Sequence, residues 1–295
     1  MPGTSDAVLL TDVVLRDGLQ DEPVFVPVRD RIAIAEALSA AGLRSIEAAS
    51  VVNPARVPQM AGAEEMIAGL PKDDPVRYSV LALNARGVER AVAAGAREIT
   101  VVASAGQGHS RANAGRSTQE ALAGIGDAVA RAASEYPDAV FTAGVATAFV
   151  CPFDGEVPAS QLADVVRGFA DMGITRVGLA DTLGTATPEQ VMRSLRAVRS
   201  AFPGIDFGLH LHNARGQALH TVDAALDAGV TRFDSAAGGY GGCPFAPGAH
   251  GNLATEELVA HLHSRGVHTG IDEAALADAV GLVRACLARA EPVAA

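Results

Sequence analysis

The sequence of 295 residues contains a single lysine, Lys72, no tryptophan and only three cysteines. The lysine lies in a turn-like Pro-Lys-Asp-Asp-Pro stretch. A Schiff-base aldolase or a pyridoxal-phosphate enzyme needs a lysine buried in its active site, so the sequence argues against both. Any carbanion formed by this protein must be stabilised by another route, and a metal ion is the obvious one.

Long apolar runs and basic charge are also scarce. No apolar run approaches the roughly 20 residues that a membrane span needs, and residues 1–11 do not resemble a signal peptide. We therefore expect a cytoplasmic protein with no membrane contact. The formal net charge is −11, which argues against a nucleic-acid surface because such a surface needs a basic patch. The sparse cysteines argue against a disulfide framework and fit a reduced compartment.

Predicted strands and predicted helices alternate along the chain. Apolar, β-branched runs alternate with alanine-rich amphipathic stretches, and eight such strand–helix units predict a parallel sheet closed into a (β/α)8 TIM barrel. We expect one domain over residues 1–295, with the barrel over roughly 8–265 and a C-terminal helix over roughly 271–289. The predicted strands are roughly 8–16, 43–50, 76–83, 97–104, 139–147, 174–181, 206–212 and 230–236, and the predicted helices include 28–41, 58–70, 118–136, 158–172, 187–202, 214–228 and 252–265.

A repeated junction supports the barrel. In four segments a helix is predicted to end, a glycine to take the left-handed cap conformation, and a strand to begin. These glycines precede the second, fourth, sixth and eighth strands, so the repeat unit is two βα modules. Capping glycines occur in any α/β protein, but four at alternate strands favour a barrel over an open sheet. They are Gly42, Gly95, Gly173 and Gly229.

Residues 238–251, after the eighth strand, are so dense in glycine that they predict neither a strand nor a helix. Glycines around Cys243 are compatible with a mobile lid, and a thiol on a lid could deliver a proton to a carbanion. An incidental thiol is the alternative, because Cys151 is also followed by Pro-Phe without any such context.

His210 and His212 close the predicted seventh strand as Leu-His-Leu-His-Asn. A separation of two points both rings to the same side of a strand, and barrel enzymes keep their active residues at the carboxyl ends of strands. Two neutral imidazoles on one face favour metal binding over a pair of hydrogen-bonded core histidines. Barrel hydrolases also carry His-x-His pairs, but on the first strand, which makes a hydrolase less favoured here.

Other polar residues are predicted at the same end of the barrel. Arg16 and Asp17 close the predicted first strand. Arg16 could stabilise the negative charge of an enolate and Asp17 could be a metal ligand, or the two could form only a surface ion pair. Glu47 and Asp181 end the predicted second and sixth strands, where they would orient the site or form salt bridges in the barrel mouth. Asn252 begins a predicted helix, either as its N-cap or as a fourth metal ligand.

In chain order these motifs resemble those of the 3-hydroxy-3-methylglutaryl-CoA lyases, within a wider group of metal-dependent barrel lyases and Claisen-type synthases. The resemblance spans nearly the whole chain. The matching stretches are Arg16-Asp-Gly-Leu-Gln-Asp-Glu22, Ala41-Gly-Leu-Arg-Ser-Ile-Glu47, Val57-Pro-Gln-Met60, Ala91-Val-Ala-Ala-Gly-Ala-Arg97, Asp181-Thr-Leu-Gly184, His210-Leu-His212, Gly216-Gln-Ala218, Gly241-Gly-Cys-Pro-Phe245 and Gly251-Asn-Leu-Ala-Thr-Glu256.

The resemblance implies cleavage of a hydroxyacyl-CoA thioester to acetyl-CoA and a keto acid, in a homodimer with Mg²⁺ or Mn²⁺. The implied metal ligands are Asp17, His210, His212 and Asn252. The implied catalytic residues are Arg16, Asp17 and Cys243, with support from Glu47 and Asp181, and the implied substrate contacts are Arg16 and Gln20.

Three departures from the family pattern bear on the substrate. The chain has Asn213-Ala-Arg-Gly216 in place of the usual Asp-Thr-Tyr-Gly, His250 in place of Ser, and Ala-Leu-Asn84 in place of Thr-Pro-Asn. A different 3-hydroxyacyl-CoA thereby stays an alternative to the methylglutaryl thioester. A Claisen-type synthase is a further alternative, although a synthase normally carries a longer segment after the barrel. A non-catalytic barrel is a third, and the complete ligand set argues against it.

Overall fold

A computed structural model describes residues 8–71, 75–242 and 251–293. Eight parallel strands form a closed barrel, which confirms the predicted TIM-barrel fold. They are β1 (Leu9–Asp12), β2 (Ser45–Ser50), β3 (Arg77–Ala82), β4 (Glu98–Ser104), β5 (Val140–Ala146), β6 (Arg176–Asp181), β7 (Asp206–Leu211) and β8 (Arg232–Ser235). Each strand pairs with its neighbours in the chain, and β1 pairs with both β2 and β8 to close the ring.

Helices surround the barrel, and those after β4 and β8 come in pairs. They are α1 (Val28–Ala40), α2 (Ala63–Gly69), α3 (Ala85–Ala93), α4 (Gln107–Ala114), α5 (Thr118–Glu135), α6 (Ala159–Asp171), α7 (Pro188–Ala201), α8 (Ala218–Asp227), α9 (Thr255–Ser264) and α10 (Glu273–Arg289). No helix in the described part of the chain is long and apolar enough to cross a membrane.

Local sequence explains where the helices begin and end. Helix α5 starts with a capping box between Ser117 and Glu120, and α7 starts with one between Thr187 and Gln190. The four glycines of the repeated junction all have positive φ, between 79° and 106°, as predicted. The helix ends are therefore set by residues that recur with the two-module period.

The start of the barrel differs from the prediction. Strand β1 ends at Asp12 rather than at residue 16, and Val14–Gly18 forms a π-helical turn. The Asp12 carboxylate accepts a hydrogen bond from the Val14 amide at 2.9 Å, and the Asp17 amide donates to the Val13 carbonyl at 2.8 Å. The hydrogen bond from the Val14 amide to the Asp12 side chain competes with the hydrogen bonds of the sheet. The chain therefore leaves the sheet after Asp12 and turns inward. Arg16 and Asp17 consequently lie on a turn after the strand.

Other boundaries also shift. The predicted helix 58–70 is interrupted, because a 3₁₀ turn at Pro58–Met60 precedes Gly62, whose φ is 75°. The glycine-dense stretch opens with a short turn at Ala237–Gly239, in which Gly238 has a φ of 80°, so the backbone there does not continue as a regular helix. Glu47 lies within β2 rather than at its end. Residues 243–250, with Cys243 and His250, lie outside the described residues.

Two short antiparallel pairs were not predicted. Val24–Phe25 pairs with Glu291–Pro292, and Val150–Cys151 pairs with Gly155–Glu156. The first pair connects the segment after β1 to the chain that follows α10. Both lie outside the barrel sheet, and neither has the alternating pattern of a long strand.

Candidate metal centre and active site

Three side chains from two sides of the barrel meet at its carboxyl end. His210 Nε2 and His212 Nε2 are 3.2 Å apart, and Asp17 Oδ2 lies 3.7 Å from the first and 3.6 Å from the second. A point equidistant from three atoms with these separations lies about 2.0 Å from each, which is the bond length of a small divalent cation. Two imidazoles and a carboxylate are also suitable ligands, so the residues present fit a divalent metal.

The histidine side of this centre is held by neighbouring strands. His210 on β7 is paired in register with Asp234 on β8, and His210 Nδ1 lies 3.3 Å from Asp234 Oδ2. A carboxylate at Nδ1 keeps the proton there and leaves the Nε2 lone pair for a metal. His212 follows the last residue of β7, and its amide donates to the Asp181 carbonyl at 3.4 Å.

Asn252 reaches the centre from the far end of the chain. It forms an isolated bridge with His212, and its Nδ2 donates to Asp17 Oδ2 at 2.7 Å and to the Tyr240 carbonyl at 3.0 Å. Its Oδ1 is buried and has no hydrogen-bond partner among the described residues. Rotation of the Asn252 side-chain amide by 180° would exchange its nitrogen and oxygen. The oxygen Oδ1 would then lie beside Asp17, at the position expected for a fourth metal ligand. The N-cap of α9 is Ala254, so Asn252 does not have the capping role.

Arg16 lies between two carboxylates. Its guanidinium is bonded to Asp17, and its Nε donates to Glu47 Oε2 at 2.5 Å. Burial would lower the pKa of Arg16, but the charges of Asp17 and Glu47 outweigh it and keep the pKa above its usual value. Burial would raise the pKa of Asp17, but Arg16 and the two histidines hold it well below its usual range. At neutral pH the site therefore contains a fixed cation and a fixed anion.

Glu47 and Asp181 stand behind these groups. Glu47 is buried in β2, and burial raises its pKa although Arg16 partly offsets the effect. Asp181 ends β6, and its Oδ2 accepts a hydrogen bond from the Ala186 amide at 3.1 Å. Burial also raises the pKa of Asp181. Glu47 thus contacts Arg16 directly, while Asp181 contacts the site through the backbone of His212.

A cavity of about 170 Å³ opens onto the centre and contains Arg16, Asp17, His210 and His212 in its lining. Gln20, predicted as a substrate contact, also lines it, and the Gln20 Oε1 is buried without a partner among the described residues. Gly242, immediately before Cys243, lines the same cavity.

Three polar residues of this region escaped the sequence prediction. Asp12 is fully buried, and its carboxylate accepts hydrogen bonds from Val14, Ala237 and Thr255. Asp234 supports His210 as described. A signal existed for both, because each is a charged residue at the carboxyl end of an apolar strand. Burial raises the pKa of Asp12 to about 6, although the three hydrogen bonds oppose it.

The third residue is His109, on α4. It is buried, it lines the cavity, and its Nδ1 lies 2.8 Å from the Ser104 hydroxyl. Burial lowers the pKa of His109 to about 4, although Asp154 opposes the shift, so the ring is neutral at physiological pH. Because α4 follows β4, this wall faces the candidate metal ligands across the barrel. No spacing in the sequence pairs this lone histidine with the others.

Fold and centre together define a metal-dependent enzyme of the TIM-barrel class. The HMGL-like family model matches residues 7–283, and the chain belongs to this family. Its relatives are carbon–carbon lyases, and so is this protein.

Two curated relatives and one solved structure illustrate the similarity. The chain is 40% identical to the (R)-citramalyl-CoA lyase of Chloroflexus aurantiacus, over 97% of this chain and 93% of the relative. It is 37% identical to a hydroxymethylglutaryl-CoA lyase of Bacillus subtilis, over 90% and 88%. A structure of an HMG-CoA lyase from Acinetobacter baumannii, in complex with coenzyme A and 3-methylmalate, has a TM-score of 0.92 and 38% identity, covering 99% of this chain and 95% of that one.

Proposed function

We propose that this lyase uses Mg²⁺ or Mn²⁺ to cleave a 3-hydroxy-3-methylglutaryl-CoA-like thioester into acetyl-CoA and a keto acid. The observation that carries the proposal is the cluster of Asp17, His210 and His212 next to the buried cation Arg16. The family of the chain and the coenzyme A bound by a structural relative support it.

The ligands proposed for the metal are Asp17, His210, His212 and Asn252. A bound divalent ion would act as a Lewis acid on the hydroxyl and carboxylate oxygens of the substrate and favour loss of the hydroxyl proton. The chain itself holds the ligands in place: Asp234 orients His210, and Asp181 supports His212 through the backbone. Asp17 is ionised and lies among these ligands, so it is the proposed acceptor of that proton, directly or through a water.

Cleavage of the carbon–carbon bond leaves the enolate of acetyl-CoA, whose negative charge needs a permanent cation nearby. Arg16 is the proposed group, because Glu47 and Asp17 fix its guanidinium and keep it charged. Gln20 would contact the substrate on the same side of the cavity.

Cys243 is the proposed acid that protonates the enolate carbon. It lies outside the described residues, and the proposal is supported by the resemblance to the lyase family and by Gly242, the residue before it, which lines the cavity. Cys243→Ser tests this role. We expect turnover with the best substrate to fall by about a hundredfold, the size of a general acid contribution, with CoA binding retained. Full turnover by the variant would contradict it.

A second candidate function is cleavage of citramalyl-CoA or of another 3-hydroxyacyl-CoA. The relative that covers 97% of this chain is named for citramalyl-CoA, and His109 puts a neutral polar ring on the cavity wall opposite the metal ligands. A panel of 3-hydroxyacyl-CoA thioesters with Mg²⁺, read out as acetyl-CoA, separates the candidates. His210→Ala serves as the inactive control. Failure of every thioester to yield acetyl-CoA would contradict the proposed function.

We also propose a cytoplasmic homodimer with a single domain over residues 1–295. The sparse cysteines and the resemblance to the lyase family support the compartment and the dimer, respectively. Light scattering of the purified protein tests the dimer, and a monomeric mass at micromolar concentration would contradict it.

A further inference from the structure

Asp12 ends β1, is fully buried and is not among the described residues that line the cavity. One of its carboxylate oxygens, Oδ1, accepts a hydrogen bond from the Val14 amide at 2.9 Å. The other, Oδ2, accepts one from the Ala237 amide at 2.9 Å and one from the Thr255 hydroxyl at 2.6 Å. A single buried carboxylate thus joins three separate segments of the chain.

Two of these segments contain candidate metal ligands. Val14 begins the π-helical turn that contains Asp17. Thr255 is the first residue of α9 and follows Asn252 closely, and the Asn252 side chain donates to Asp17 Oδ2 at 2.7 Å. Asp17 and Asn252 are 235 positions apart in the chain, so their separation in space depends on the contacts that hold the two segments together. The Asp12 carboxylate bonds directly to both segments.

The third segment is the start of the glycine-dense stretch after β8. Ala237 bonds to Asp12, and the next amide, that of Gly238, donates to Glu256 Oε2 at 2.9 Å. Glu256 is the second residue of α9. Two carboxylates, one on β1 and one on α9, therefore hold the stretch where it leaves the barrel, before it reaches Gly242 in the cavity lining.

The junction requires an acceptor with two oxygens. Burying a carboxylate is costly unless hydrogen bonds stabilise it, and here three donors do so. An asparagine has one acceptor oxygen and one NH₂ group in place of the two oxygens. In either orientation its NH₂ group would face a backbone amide, that of Val14 or that of Ala237, and leave that donor without an acceptor.

Resting on the proposed metal-dependent function, we propose that Asp12 is a positioning residue for the metal centre. It sets the separation between Asp17 and Asn252, because it bonds to the segments that contain them. The two histidines reach the centre by another route, through β7 and its neighbour β8. Loss of the Asp12 carboxylate therefore loosens one half of the centre and leaves the other half in place.

Titration of the full-length, chelator-treated protein with Mg²⁺ tests the proposal without requiring turnover. We expect Asp12→Asn to weaken Mg²⁺ binding by about ten- to a hundredfold, the range for groups that support metal ligands. Thr255→Val removes one of the three donors and disturbs the fold less, so it should weaken Mg²⁺ binding by about two- to tenfold. Thr221→Val is the matched control, because Thr221 is buried and its hydroxyl donates to the Gln217 carbonyl at 3.3 Å, at the start of α8.

Hydrogen exchange of the metal-free protein measures the junction itself. In Asp12→Asn the amide of Val14 or of Ala237 should exchange faster than in the wild type, because one of them has lost its acceptor. Amides of β5, on the opposite side of the barrel, should keep their wild-type rates. This pattern separates a local loss of positioning from a general loss of stability.

Three results would overturn the proposal: unchanged Mg²⁺ affinity in Asp12→Asn, an equal loss of affinity in Thr221→Val, or exchange that is accelerated equally across the whole barrel. The last result would show that Asp12 only stabilises the fold. Mg²⁺ binding that depends on Asp12, without acetyl-CoA release from any thioester, would contradict the proposed function alone. No Mg²⁺ binding by the wild type would contradict both.

Discussion

At the scale of single residues, the Asp17 carboxylate contacts most of the other side chains of the candidate centre. One oxygen is bonded to Arg16, and the other faces both histidines and accepts a hydrogen bond from Asn252. Asp17→Asn keeps the size of the side chain but removes its charge. We expect kcat/KM to fall by at least about a hundredfold and Mg²⁺ binding to weaken, since loss of supporting contacts alone costs 10–100-fold. Steady-state kinetics and metal titration measure both.

The matched control for this change is Asp171→Asn, at the exposed end of α6. Equal losses in the two variants would show that Asp17 acts only through general surface charge.

His109 is predicted to make the folded protein sensitive to acid. Its folded pKa of about 4 lies below the ordinary value of 6.5, so between these pH values the unfolded chain binds a proton that the folded chain does not. The free energy of unfolding should therefore decrease as pH falls from 6.5 towards 4, by up to about 3 kcal/mol from this group. Urea unfolding of the wild type and of His109→Gln at pH 7 and pH 4.5 measures it. A pH-dependent loss of the same size in both proteins would contradict the prediction.

At the scale of structural elements, the turn after β6 fixes the position of His212. Gly184 has a φ of 64°, and a Cβ there would lie 2.6 Å from the Ala214 amide nitrogen and 2.8 Å from the His212 carbonyl oxygen. Gly155 has a φ of 79°, but its Cβ would meet nothing within 4 Å. We expect Gly155→Ala to cost about 1 kcal/mol of stability through backbone strain alone.

Gly184→Ala should cost about 2–4 kcal/mol and also reduce lyase activity, because the overlap displaces the backbone that holds the ligand. Thermal unfolding and kinetics of the two variants give the comparison. Equal costs and equal activity would mean that this turn does not position His212.

The elements show what sequence can predict. Hydrophobic periodicity located all eight strands, and the repeated glycines located the helix ends before alternate strands, because both signals are local. The π-helical turn at Val14–Gly18 was missed because it depends on the Asp12 carboxylate bonding to the backbone beside it and to the Ala237 amide, which follows the neighbouring strand β8. No propensity scale includes a contact between residues that are so far apart in the chain.

The same limit applies to the centre. The pair His210 and His212 was visible as a spacing of two in a strand, and Asp17 as a carboxylate at the end of the same barrel. His109 was not visible, since it lies on α4 and only the closed barrel brings it to the same cavity as the pair. The roles of all the site residues, Asn252 and Cys243 included, stay predictions.

At the scale of the whole molecule, the candidate metal centre joins distant parts of the chain. Its ligands come from the turn after β1, from the end of β7 and from the segment before α9. A bound cation should therefore stabilise the entire fold by mass action, by about 2.7 kcal/mol at a hundredfold excess over Kd. We expect Mg²⁺ or Mn²⁺ to raise the melting temperature of the wild type by several degrees but not that of His210→Ala. An equal rise in both proteins would place the stabilising ion elsewhere.

The most direct measurement is acetyl-CoA release from 3-hydroxy-3-methylglutaryl-CoA and citramalyl-CoA by chelator-treated, full-length protein, before and after a divalent metal is returned. The proposed metal-dependent cleavage predicts that release stops after chelation, returns with Mg²⁺ or Mn²⁺ at about one ion per chain, and stays absent in His210→Ala. Undiminished release by the metal-free protein, or equal release by His210→Ala, would contradict it.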